Sequence, residues 1–199
     1  MKEKHPYISR RNFLVKTTLI TLGSSILGLG NTYASHRKLL TDKNKLWDEF
    51  SPEEKKQIEQ SKMAKIALEI EGGSCAEKVL LTTIRYFKKP DRFVSFASSF
   101  GGGIRKGDLC GMLTGGFMSI GFASERLIRK DEEKRSLWVR EKTDEFWEWW
   151  LNRAPRHCNE LRPCYANEDR SIHAANFNRM LQRVALKLEE MFEAQMDLM

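Results

Sequence analysis

From Ser51 onward the sequence is punctuated by helix starts and stops, which leaves little room for a sheet. Ser51-Pro52-Glu53-Glu54 offers an N-cap hydroxyl, a proline at the first helical position and a glutamate three residues on, the pattern of a capping box. Apolar Ile58, Met63, Ile66, Ala67 and Ile70 follow at close to helical period, and Gly72-Gly73 predicts the stop. Ser74-Cys75-Ala76-Glu77 is a second box. It opens a helix through Val79, Leu80, Ile84 and Phe87 that ends before Lys89-Pro90, because the residue preceding a proline disfavours helical backbone. A short helix is predicted over 91–99, ahead of Gly101-Gly102-Gly103.

Beyond the glycines, Asp108 is the expected N-cap of a helix that begins Leu109-Cys110-Gly111 and continues to about Lys130. Its small residues Gly111, Gly115, Ser119 and Ala123 recur every four positions, so they line one face and let another helix approach closely. A charged helix with an aromatic cluster at Phe146, Trp147, Trp149 and Trp150 spans Asp131 to Arg153 and breaks at Ala154-Pro155. A last helix is expected over 172–196, with Phe177, Met180, Leu181, Val184, Leu188 and Met191 on its apolar side. No alternating run is backed by β-branched residues, so the expected fold is all-α, a compact bundle of about five or six helices. Residues 51–199 read as a single helical domain and 35–50 as a loosely fixed lead-in.

Five Trp, eleven Phe and four Tyr in 199 residues supply surface to bury, which argues against disorder. Four cysteines are too few for a disulfide-built mini-protein, so the core has to come from packing. The net charge of +7 would suit nucleic acid or an anionic membrane if it were spread over the folded part. It is not. Residues 1–34 hold Lys2, Lys4, Arg10, Arg11 and Lys16 against Glu3, so +4 belongs to that segment and +3 to the rest, and a nucleic-acid partner is not expected.

Residues 1–34 have the build of an export signal: a basic start, an apolar run from Phe13 to Gly30, and small residues at Thr32-Tyr33-Ala34. Ser9-Arg10-Arg11-Asn12-Phe13-Leu14-Val15-Lys16 resembles the twin-arginine translocation (Tat) motif S-R-R-x-F-L-x-K at every defined position. The resemblance implies passage through the Tat translocase in the folded state and a periplasmic or otherwise extracytoplasmic location. Cleavage after Ala34 would leave 165 residues, and an uncleaved segment would act as a membrane anchor. The alternative is a chance Arg-Arg pair before a membrane-surface helix.

All four cysteines, Cys75, Cys110, Cys158 and Cys164, lie beyond the signal. Cys75 and Cys110 fall at expected helix starts, where unpaired N–H groups and the helix dipole favour thiolate over thiol. Cys158 and Cys164 share an expected loop flanked by Pro155 and Pro163, at a spacing that suits either a local disulfide or two metal ligands. There is no C-x-x-C and no C-x-x-C-H, so thioredoxin-like chemistry and covalent haem have no motif here. His157 and His173 are candidate supporting ligands, although a histidine at partial burial is more often only that. The Trp147-Trp149-Trp150 cluster is expected to cover the core. No Ser-His-Asp order, paired carboxylates, H-E-x-x-H or phosphate loop is present.

The stretch Ser98-Ser99-Phe100-Gly101-Gly102-Gly103-Ile104, followed by Gly107-Asp108-Leu109-Cys110-Gly111-Met112-Leu113-Thr114-Gly115, resembles the core of the C_GCAxxG_C_C family. Cys75 matches the family's first cysteine, about 35 residues upstream of the second, and Cys158-Asn159-Glu160-Leu161 matches its C-x-E-L context. Met112 stands where the family has alanine, and Cys164 lies nearer to Cys158 than the family's fourth cysteine does to its third. The resemblance implies electron transfer or thiol redox work beside a larger exported or membrane-bound oxidoreductase, and it settles no cofactor.

Three readings of the cysteines stay open. In one, all four ligate an iron–sulfur cluster, whose normal ligand set is four thiolates. In another they form dithiol/disulfide pairs, Cys75 with Cys110 the more reactive, that exchange electrons with a partner. In the third they are structural disulfides in a non-catalytic helical subunit that binds an oxidoreductase or assists its assembly.

Overall fold

The computed structural model describes residues 45–197. The expected signal over 1–34, and the lead-in as far as residue 44, lie outside the described residues. Seven α-helices follow in chain order: α1 (Pro52–Gln60), α2 (Lys62–Glu69), α3 (Cys75–Tyr86), α4 (Gly111–Leu127), α5 (Glu132–Leu151), α6 (Cys158–Tyr165) and α7 (Arg170–Met196). A 3-10 helix (Asp91–Ala97) lies between α3 and α4. There is no strand among the described residues, so the fold is all-α. No helix among them is long and apolar enough to cross a membrane.

Two helices, α1 and α3, start at the caps that the sequence names. Ser51 caps α1 by accepting the Glu54 N–H at 3.2 Å, and Asp131 caps α5 by accepting the Lys134 N–H at 2.8 Å. The box at α3 is complete, since Ser74 accepts the Glu77 N–H while the Glu77 carboxylate accepts the Ser74 N–H at 2.8 Å. That bond holds the Glu77 carboxyl below its ordinary pKa.

The helix expected to run unbroken from Ser51 to Gly72 is instead two. Ser61 takes extended backbone, closes α1 with its N–H on the Gln57 carbonyl at 2.9 Å, and caps α2 by accepting the Ala64 N–H at 2.9 Å. The cause is Glu189 on α7. Its buried carboxyl group accepts the Ser61 hydroxyl and the N–H groups of Lys62 (3.1 Å) and Met63 (3.3 Å). A continuous helix would spend those N–H groups internally and strand an acid in the core.

Residues 45–50, expected within the loose lead-in, are held against α7. Leu46 is fully buried. Arg183, 3 % exposed, donates to the carbonyls of Leu46 and Asp48 at 2.7 Å, to the Glu49 carbonyl at 3.2 Å, and through Nε and Nη2 to both Glu54 oxygens at 2.7 Å. One guanidinium fork thus meets three carbonyls of this segment and both oxygens of the Glu54 carboxylate.

The centre of the bundle is α4. Its small-residue face meets α3: a Cβ added at Gly115 would stand 2.8 Å from the Ala76 carbonyl oxygen and 2.9 Å from the Val79 Cβ. On the adjoining side a Cβ at Gly116 would overlap the Phe146 ring of α5 at 2.2 Å. Both neighbours therefore approach closer than any side chain on α4 would permit. Leu113, Phe146, Trp150, Leu181 and Phe192 complete one core and are fully or almost fully buried. At about 1.5–3 kcal/mol for each large apolar side chain buried, this layer outweighs any single cap. Trp147 stacks on Phe117 and Trp149 on Phe146, so the tryptophan cluster covers the core as expected.

Candidate functional site

Three of the four cysteines sit at helix starts: Cys75 is the first residue of α3, Cys110 the N-cap of α4, and Cys158 the first residue of α6. The expectation of Asp108 as the cap of α4 and of a loop around Cys158 is corrected. Asp108 instead turns toward α6. Its carbonyl accepts the Cys158 N–H at 2.7 Å, and its carboxylate oxygen lies 2.8 Å from His157 Nδ1. One step further on, the Cys110 N–H donates to the Arg156 carbonyl at 2.8 Å, and Leu109 pairs with His157 in an isolated antiparallel bridge. This short ladder, which local sequence does not announce, ties the segment bearing Cys110 to the segment bearing Cys158.

The loop that makes the ladder fit is left-handed. From Gly102 to Arg105 four successive residues have φ of 63°, 67°, 53° and 56°. Two of them, Ile104 and Arg105, carry side chains for which that conformation costs about 1–2 kcal/mol each, and a β-branched residue there is a genuine outlier. The turn is held by the Asp108 N–H on the Gly103 carbonyl at 3.0 Å and by Arg105 on the Ser98 carbonyl at 3.2 Å. Gly103 cannot be larger: its Cβ would stand 2.3 Å from the Asp108 carbonyl oxygen and 2.7 Å from the Cys158 Cβ.

Gly111 explains the C-G pair. A Cβ at that position would lie 2.3 Å from the Cys75 sulfur, so the sulfur of α3 occupies the space that residue 111 leaves, beside the backbone of Cys110. Cys75 and Cys158 are half-buried, whereas Cys110 is 4 % exposed. The thiols act on one another. Burial pushes the Cys110 thiol up to about 12, Cys75 and Cys158 add to that, and the N–H groups of Met112 and Leu113 pull the other way. The Cys158 thiol is raised by burial and then by Cys75. Tyr165, on the last turn of α6, is raised by burial and then by Cys158, Cys110 and Cys75. A helix start on its own favours a thiolate at Cys110. The amide effect is present, but burial outweighs it and the proton stays on at neutral pH.

Cys164 is apart from this group. It is exposed, its sulfur donates to the Glu160 carbonyl at 3.3 Å, and the charges that act on it are Lys45 and Glu160. All four thiols are free. The two candidate histidines are engaged elsewhere: His157 Nδ1 pairs with Asp108 while its Nε2 accepts from Arg156 at 2.8 Å, and the His173 ring packs on Tyr165 at 5.3 Å. Among the described residues, no three of His, Cys, Asp and Glu are placed to hold a metal ion. With Cys164 turned outward, the donor set does not fit a four-cysteine cluster. Gly103 lies within the stretch that carries the family resemblance, whereas Tyr165 has no signal in the sequence beyond its place next to Cys164.

A protein-family model matches residues 74–191, and its description reads "Putative redox-active protein (C_GCAxxG_C_C)". The match takes in all four cysteines and runs from the N-cap of α3 into α7. No curated protein and no solved structure matches the chain.

Proposed function

The chain belongs to the C_GCAxxG_C_C family, and we propose that it serves redox exchange by carrying electron pairs in disulfides centred on Cys75. The observation that carries this reading is the Cys75 sulfur lodged against Gly111, next to Cys110, while also acting on Cys158. Cys75 is half-buried and Cys110 is buried and protonated, so Cys75 is the entry point and Cys110 a resolving thiol.

The oxidant is a disulfide of a partner oxidoreductase. The Cys75 thiolate attacks one partner sulfur, forming a mixed disulfide and expelling the other partner sulfur as thiolate. Cys110 or Cys158 then attacks the Cys75 sulfur and gives up its proton, and the second partner thiolate leaves. Two electrons have passed to the partner, now a dithiol, and the protein holds Cys75–Cys110 or Cys75–Cys158. Reduction runs the same steps backward. The donor set gives no support for routing a step through an iron–sulfur cluster. From the S-R-R-x-F-L-x-K resemblance we also propose export through the Tat translocase to an extracytoplasmic site, where a larger oxidoreductase would be the partner.

The test is an anaerobic thiol titration of the purified protein in glutathione buffers, with its visible spectrum recorded. A colourless protein showing a two-electron transition that Cys75→Ser removes and Cys164→Ser leaves in place is expected. Broad visible absorption bleached by dithionite would overturn the reading in favour of a cluster. Disulfides that no glutathione buffer opens would overturn it in favour of a non-catalytic helical binding or assembly subunit.

A further inference from the structure

We propose that the cleft between α3, the 3-10 helix and α4, away from the thiols, is a binding site for a small amphiphilic carboxylate: an alkyl or aryl body with one anionic head group. The cleft measures about 360 Å³ and is lined by apolar Leu80, Phe93, Phe96, Met118 and Phe122. That volume lies in the roughly 300–1,000 Å³ range of ligand pockets, and at about 30 Å³ per water-sized unit it takes about a dozen heavy atoms. Its floor is Gly121. A Cβ there would meet nothing within 4 Å, unlike those at Gly115 and Gly116 one turn earlier, where a neighbouring helix fills the space. Phe96 stands 70 % exposed at the rim.

The charge at the cleft selects the head group. Arg126 lines it, and its Nε is buried with no acceptor among the described residues. Its guanidinium sits 5.7 Å over the Phe122 ring, and that of Arg92 sits 5.1 Å over the Phe93 ring, so two cations stand on two of the lining aromatics. The acid that also lines the cleft, Glu125, is paired with Arg135 at 3.3 Å and leaves Arg126 unmet. A carboxylate is the planar acceptor that a guanidinium in an apolar wall recognises best, and a neutral or cationic ligand would leave the Arg126 charge unmet.

Calorimetric titration of the intact chain with decanoate and with decanol tests this. Decanoate should bind with one site per chain, about tenfold or more tighter than decanol, as a charge-assisted hydrogen bond requires. Arg126→Met should bring the two to within about twofold of each other. Gly121→Leu, which fills the floor while suiting a helix, should abolish binding of both with helical circular dichroism unchanged. The proposal is overturned if decanoate shows no saturable binding, if decanol binds equally well, if the preference survives Arg126→Met, or if decanoate still binds to Gly121→Leu.

Discussion

Replacing Gly111 with alanine adds one methyl group at the most crowded point of the site. The new Cβ would lie 2.3 Å from the Cys75 sulfur, 3.0 Å from the Phe100 carbonyl oxygen and 3.2 Å from the Ala76 nitrogen. Ordinary contact begins near 3.4 Å, so the sulfur has to retreat by about 1 Å, while the two backbone atoms can give little. Overpacking of this kind costs about 1–3 kcal/mol. Alanine in a helix returns up to about 1 kcal/mol over glycine, so the net loss should reach up to about 2 kcal/mol in the reduced protein. Gly121→Ala, in the same helix with nothing within 4 Å, is the control and should gain about 0.5–1 kcal/mol. Urea unfolding under reducing conditions reads both. Because the clash is with sulfur, Cys75→Ala should recover part of the loss in the double variant, with a coupling of about 1 kcal/mol. Oxidation of the single variant by glutathione disulfide should slow as the sulfur moves from Cys110. A Gly111→Ala protein as stable as Gly121→Ala, or a double variant that only adds the two losses, would refute the placement of the Cys75 sulfur.

Cys110 titrates in the folded protein near 12 against about 9 for an ordinary thiol, so its burial contributes fully below about pH 9. Between pH 9 and 12 this thiol ionises only in the unfolded chain, so it should add up to about 1.4 kcal/mol per pH unit to the fall in stability, and the slope should be shallower by that amount in Cys110→Ala in matched urea titrations. Iodoacetamide at neutral pH should label exposed Cys164 and spare Cys110, read by peptide mass spectrometry. Arg183→Met strands the Glu54 carboxylate and the carbonyls of Leu46, Asp48 and Glu49, and should cost about 3–5 kcal/mol in urea unfolding. Ser61→Ala loses the cap of α2 and a partner of Glu189, about 1–2 kcal/mol by the same measurement, whereas Ser61→Thr should keep most of it.

Local chemistry was legible in the sequence where it acts locally. The Ser51 cap, the Ser74–Glu77 box and the small-residue face of α4 all depend on residues within a few positions of one another, and each stands where the spacing puts it. The break at Ser61 was not legible, because its cause, Glu189, is 128 residues away. Pro163 reads as a breaker, yet α6 carries it in its last turn, where only the closing hydrogen bonds of a short helix are lost. The same limit applies at the site. The sequence pointed to four cysteines, but the ladder from Asp108 and Cys110 to Arg156 and Cys158 is tertiary, and it divides them into three whose thiols act on one another and one that faces out. The expected thiolate at Cys110 failed because helix-end amides can be counted from sequence, whereas the burial that opposes them depends on what α3 and α6 bring alongside.

In the proposed exchange Cys75 is the sulfur shared between two partners. The most direct test is peptide mapping of the half-oxidised protein, trapped in acid after equilibration with glutathione. Cys75 is expected cross-linked to Cys110 or to Cys158, with Cys164 recovered free. A Cys158–Cys164 disulfide with Cys75 unmodified would contradict that exchange.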